Sequence, residues 1–139
     1  MLRILLSARI NKLVSPDAAI ALLRIGAAAL IMTHGIPKLE QILGGDFSFG
    51  DPIGIGAAPS IVLVAFAEAI CAFLVLIGLW TRPALIPLMI NMAVAVFIAH
   101  AGDPFSQKEL GLFFLIVFVV LFLTGPGKYS ADRFLYGKS

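Results

Sequence analysis

Cysteine, histidine and charge are all scarce in this chain, and each scarcity removes a class of function. The single cysteine, Cys71, excludes an internal disulfide and any CxxC redox or zinc site. Neither a glycine-rich phosphate loop nor an HExxH pair is present. Charged residues make up 13% of the 139 residues, well below the roughly 25% usual in a soluble domain. They sum to a net charge of only +2 and are scattered, so no nucleic-acid footprint is visible. Apolar residues fill the space instead: 60% of the chain is hydrophobic and the mean hydropathy is +1.04. This is the composition of one integral membrane domain whose main partner is the lipid bilayer.

The clearest apolar run is Ser60–Leu79. At about 1.5 Å per helical residue it is long enough to cross a hydrocarbon core of roughly 30 Å. The fold class predicted is all-α. It is a transmembrane antiparallel four-helix bundle over residues 15–124, with helices at about 16–36, 60–79, 83–100 and 108–124. Ser15-Pro16-Asp17 reads as a helix start, with a capping serine, proline in the first turn and an acid behind it. Pro37 is read as a break or kink of that helix, with Lys38–Leu43 continuing as a short amphipathic turn of helix. Residues 44–59, rich in glycine and proline, carry Phe47, Phe49, Ile53 and Ile55. They are either an ordinary folded connector or a lid. Ser60 is expected to cap the second helix and Pro83 to open the third. Trp80 and Arg82 mark an interface, and Gly125-Pro126-Gly127 ends the fourth helix.

Residues 1–14 set Leu2, Leu5, Leu6, Ile10 and Leu13 largely apart from Arg3, Arg9, Asn11 and Lys12, the pattern of an amphipathic membrane-surface helix. The apolar core Ile4–Leu6 is too short for a signal peptide. Residues 125–139 form a polar tail with Phe134, Leu135 and Tyr136 as an interfacial anchor.

Four spans put both ends on one side. Arg3, Arg9, Lys12, Arg82, Lys128, Arg133 and Lys138 share that side, whereas Lys38 and Lys108 lie on the other among five acidic residues, Glu40, Asp46, Asp51, Asp103 and Glu109. The positive-inside rule makes both termini cytoplasmic, in a bacterial inner (cell) membrane.

One carboxylate, Glu68, falls well inside the second span. A charge there is costly in hydrocarbon, so it needs a partner and a place facing other helices. Counting from the helix ends puts Glu68 about 12 Å and Arg24 about 18 Å below the outer surface, which predicts an Arg24–Glu68 ion pair. His34 and Lys38 at the end of the first span, His100 at the end of the third and Glu109 at the start of the fourth crowd the same outer half. Asn91 lies near the midplane, Cys71 shares the face of Glu68, and the inner half shows no ionisable side chain. A transport path would need one. Each residue also has a plain structural reading. The ion pair would fix helix register, the histidines would meet interfacial water, and Cys71 would be a small core residue. The phenylalanines Phe113, Phe114, Phe118 and Phe122 either pack and face lipid or line a flat slot. No tight ligand spacing supports a metal.

Several segments, in order, carry a resemblance to a known family: Arg24 in LLRIG, HGIPKL at 34–39, Glu68 in AEAICAFLVLIGLWTRPA, the stretch 89–95, His100, KELGLFF, and GPGKYSADR at 125–133. The chain resembles the DoxX family of small four-helix membrane proteins. That resemblance implies a membrane redox system with a partner enzyme subunit. The namesake relatives are linked to thiosulfate:quinone oxidoreduction, others to a redox-protective assembly with a superoxide dismutase and a sulfurtransferase, and others again to quinone or catechol detoxification. The expected ligand is a quinone in an outward-facing intramembrane pocket. Glu68, His34 and His100 would exchange protons with it, and Arg24, Lys38, Asn91 and Glu109 would hold it or gate the mouth. No flavin or haem motif supplies electrons, so a partner or a thiol substrate would. The alternative is a non-enzymatic scaffold docking redox enzymes or another membrane protein. A bundle this small also leaves a large lipid-facing area that a homodimer would bury.

Overall fold

The structure, a computed structural model, describes residues 1–13 and 15–137, without the side chains of Arg9, Asn11, Lys12 and Leu13. That part of the amphipathic pattern, together with Val14, Lys138 and Ser139, lies outside the described residues. The helices are α1 (Leu2–Leu13), α2 (Pro16–Leu43), α3 (Ala57–Ile77), α4 (Thr81–Ala99), α5 (Phe105–Thr124) and α6 (Ala131–Tyr136). No strand occurs among the described residues, and α2 to α5 are each long and apolar enough to cross a membrane. The described apolar side chains of α1, Leu2, Ile4, Leu5, Leu6 and Ile10, are all exposed.

Helix boundaries differ from the sequence reading, which ends the first span near Ile36 with a break or kink at Pro37. Pro37 lies inside α2, which runs on to Leu43. Proline removes one hydrogen bond of the ladder without ending a helix whose later turns are otherwise secured. Likewise α3 begins at Ala57, one turn before Ser60. The cap is Gly56 at φ 103, and the Ser60 hydroxyl donates back to the Gly56 carbonyl at 2.6 Å. Pro59 sits in that first turn, where its missing N–H costs nothing. Gly78, at φ 71, closes α3: its N–H reaches Val75 and the Leu79 N–H reaches the Leu74 carbonyl at 2.9 Å. Helix α5 starts at Phe105, before Lys108, and the tail holds the short helix α6.

Both α3 and α4 contain a π-helical turn, at Phe66–Cys71 and Ala95–Ala99. Such turns are rare and concentrate at functional sites.

The core is built of Ala27, Ala28 and Ile31 of α2, Ala67, Cys71, Ala72 and Val75 of α3, Leu85, Leu88 and Met92 of α4, and Phe114, Val117, Phe118 and Leu121 of α5. Cys71 is a core residue at 2% exposure, as its plain reading holds. Lipid tails are as apolar as leucine, so between membrane helices close van der Waals packing of small residues does the work. Gly35 shows it at the extreme: a Cβ there would collide with the carbonyl of Glu68 and stand 2.6 Å from the amide nitrogen of Ala69. The α2 and α3 backbones therefore touch at residues 35 and 68. Near the other end of the pair, a Cβ on Gly78 would stand 3.2 Å from the Arg24 guanidinium carbon.

That second meeting point anchors the tail. Arg24 is 2% exposed and donates to the backbone carbonyls of Pro126 and, at 2.7 Å, Tyr129. Asp132 accepts from the Trp80 and Thr81 amides at 2.7 and 3.0 Å and from the Thr81 hydroxyl at 2.9 Å, so it caps α4 from across the chain. The Asp132 N–H returns a bond to the Gly78 carbonyl at 2.8 Å, and the Lys128 N–H donates to Asp17 at 2.9 Å. Residues 125–132 are thus a clasp that ties the starts of α2 and α4 to the ends of α3 and α5. The buried ionisable group missing from the inner half in the sequence reading is Arg24 itself.

Candidate functional site

Glu68 sits on the π turn of α3 and is 6% exposed. Its two oxygens are separately held. Oε2 takes the Lys38 ammonium at 2.5 Å and Oε1 takes the Asn91 side-chain amide at 2.8 Å. Lys38 also donates to the His34 carbonyl at 3.1 Å, one turn back on α2. A carboxylate with a charged and a neutral donor is paid for in low dielectric, which an isolated one is not.

The predicted Arg24–Glu68 pair is therefore replaced by Lys38–Glu68. The cause is the continuation of α2 through Pro37. With Gly35 against Glu68, Arg24 falls 11 residues away, about 16 Å along the helix. Arg24 belongs to the clasp and takes no part in the site.

Beside Glu68 lies a cleft of about 160 Å³ between α2, α3, α4 and α5. His34 and His100 line it with Glu68, as do Lys108 and the ring of Phe114. The π turn of α4 contributes Ala95 and Val96. Gly111 lets α5 come close there, since a Cβ on it would meet Val96 at 2.9 Å. Phe114, backed by Phe118 with ring centroids 5.7 Å apart, is the aromatic residue in the cleft lining. The His100 Nδ1 lies 2.6 Å from an Asp103 oxygen, and His34 Nδ1 lies 3.3 Å from the Leu30 carbonyl. A proton on Nδ1 in each ring satisfies these acceptors and leaves Nε2 as an acceptor.

Of the residues singled out by sequence, Glu68, His34 and His100 meet at one cleft. Lys38 and Asn91 hold Glu68 rather than lining that cleft. Glu109 does not reach it: it lies in a separate surface groove with Ser106, Leu110 and Phe113. The reason is phase. At about 100° per residue Gln107, Lys108, Leu110, Gly111 and Phe114 centre on one face of α5, and Glu109 falls roughly opposite it. Sequence reasoning missed Gln107, expected at the end of the loop before the fourth span, Lys108, expected to open that span, and the two glycines Gly35 and Gly111. A glycine inside an apolar span opposite a buried acid was the available signal. Among the described residues, no group of three His, Cys, Asp or Glu side chains is placed to hold a metal ion.

Comparison with known proteins fits this geometry into a family. The DoxX family model matches residues 19–101, which include Arg24, His34, Lys38, Glu68, Asn91 and His100. A Haemophilus influenzae protein described as uncharacterized is 28% identical over 130 residues, covering 86% of this chain and 92% of its own. An uncharacterized membrane protein of Mycobacterium tuberculosis is 31% identical over 135 residues, covering 80% of this chain and 77% of its own. No solved structure matches. The chain belongs to the DoxX family of membrane proteins.

Proposed function

We propose that this protein is the membrane component of a redox system, embedded in a bacterial inner membrane with both termini cytoplasmic and its four spans antiparallel, and that it binds a quinone-like ligand in the cleft beside Glu68. The carrying observation is the buried Glu68, held by Lys38 and Asn91, opening on a cleft lined by two histidines and Phe114. A quinone ring fits against Phe114, with its oxygens toward Glu68 and the histidines. Quinone reduction takes up two electrons and two protons. Two molecules of a thiol supply both as they join in a disulfide, or a partner subunit delivers the electrons and the site delivers the protons. Glu68 and the histidine Nε2 atoms pass them, and Lys38 orients the Glu68 carboxylate. The resemblance to DoxX proteins supports the sulfur-linked donor.

The test is organic extraction of protein purified in mild detergent, read by chromatography and mass spectrometry. Wild type should release near-stoichiometric quinone, and Ala95→Trp, which fills the cleft, should release none. Glu68→Gln should keep the quinone and lose thiol-dependent turnover. Absence of quinone from wild type, even after one is added back, overturns the reading in favour of a docking scaffold.

A further inference from the structure

A second cavity, of about 270 Å³, lies across Asn91 from the cleft, between α3, α4 and the connector that joins α2 to α3. Its walls are apolar: Ile53 and Ile55 of the connector, Leu63 and Phe66 of α3, Ile90 and Val94 of α4. Among the described residues, no charged one lines it. Two polar side chains do, Ser60 and Asn91. Ser60 already gives its proton to the Gly56 carbonyl at 2.6 Å.

Asn91 is the informative one. Its partner Glu68 is a carboxylate, which only accepts, so the amide must turn its nitrogen that way. Among the described residues nothing donates to the amide oxygen, which is not fully enclosed, and Asn91 lines this cavity and not the cleft. The ion pair on one side of α4 thus orients the amide that the other side presents, leaving its oxygen without a donor in a mostly apolar chamber.

We infer that this cavity is a binding site for a neutral, largely apolar molecule carrying one hydroxyl or N–H donor, a phenol or fatty alcohol in class, with the donor on Asn91 Oδ1. The size agrees, since a dry cavity of roughly 150 Å³ holds one benzene ring and this one has room for two fused rings. An oxygen without a donor in such surroundings loses hydrogen-bonding free energy that a hydroxyl restores and an ether does not. The site is distinct from the cleft and does not rest on the redox reading.

Equilibrium dialysis of protein in nanodiscs, corrected with empty nanodiscs, tests it with 1-naphthol and 1-methoxynaphthalene, which share the ring and differ in the donor. Wild type should bind the naphthol about fivefold more tightly, the ratio that one neutral hydrogen bond supplies. Val94→Trp fills the cavity and should abolish binding of both, whereas Ala95→Trp, on the cleft side, should change neither. Asn91→Leu should erase the preference. Equal affinity of the two probes for wild type overturns the proposal and leaves a chamber for lipid tails only. Binding that survives Val94→Trp, or a preference that survives Asn91→Leu, overturns it as well. Should Asn91→Leu fail to fold, the probe ratio in wild type together with Val94→Trp still decides.

Discussion

At the scale of single residues, Gly35 and Lys38 set the site. Gly35 lets the α2 backbone rest on the Glu68 carbonyl. Gly35→Ala should therefore destabilise the protein by about 3 kcal/mol, the upper range for overpacking a tight contact. Gly26, in the same helix with nothing within 4 Å of a Cβ, is the control; Gly26→Ala should be neutral or stabilising by up to about 1 kcal/mol. Reversible unfolding in mixed micelles measures both. Lys38→Met strands a buried carboxylate and should cost about 3 kcal/mol in the same assay. The double variant Lys38→Met, Glu68→Gln should recover most of that loss, giving a coupling energy above 1 kcal/mol. Strict additivity would mean that the pair contributes nothing. Glu68 was legible in the sequence as a buried acid in need of a partner because hydrocarbon imposes that need on any charge. Its partner was not legible. Choosing between Arg24 and Lys38 depends on whether α2 survives Pro37, and a proline alone does not say whether the surrounding packing carries a helix past it.

Among the elements, the clasp is the part with the clearest consequences. Asp132 satisfies the first amides of α4, and Arg24 satisfies two carbonyls of the tail, although no residue near either announces the connection. Asp132→Ala should cost about 2 kcal/mol, as for loss of a helix cap, and should speed hydrogen exchange at the amides of Trp80 and Thr81. Arg24→Leu should release residues 125–136 to protease at native conditions while leaving ligand binding in the cleft intact. A cleft that loses its ligand in Arg24→Leu would return Arg24 to the site. The four spans themselves were readable, because an uninterrupted apolar run has few alternatives in a bilayer. Their ends were not, since Gly56, Pro59 and Pro104 begin helices by means that a search for serine caps does not detect. In the connector, the Ser48 hydroxyl and amide hold the Asp46 carboxyl below the usual carboxylate range, which keeps that turn intact from neutral pH down into acid.

For the whole molecule, the charge asymmetry makes a topological statement that labelling can check. A membrane-impermeant maleimide should modify Gly50→Cys in intact cells, since Gly50 lies in the exposed connector. It should modify Lys128→Cys only after the membrane is opened. Wild type should stay unlabelled in both conditions, because Cys71 is buried. Labelling of Lys128→Cys from outside would invert the orientation. The two π turns bear on the molecule in a different way. Each holds one residue more than a regular helix needs, so the polypeptide runs slightly ahead of its own geometry on both sides of the cleft. Remove one residue between Phe66 and Cys71 and the helix heals, with every apolar side chain still in the bilayer. The turns on either side keep their faces, because the wide turn had absorbed the extra residue, but the residues inside it change phase, and Glu68 no longer answers both Lys38 and Asn91. Two chains of the same composition and hydropathy can therefore differ wholly in what they do: the site is written in the spacing of the chain, as a meaning is written in a reading frame.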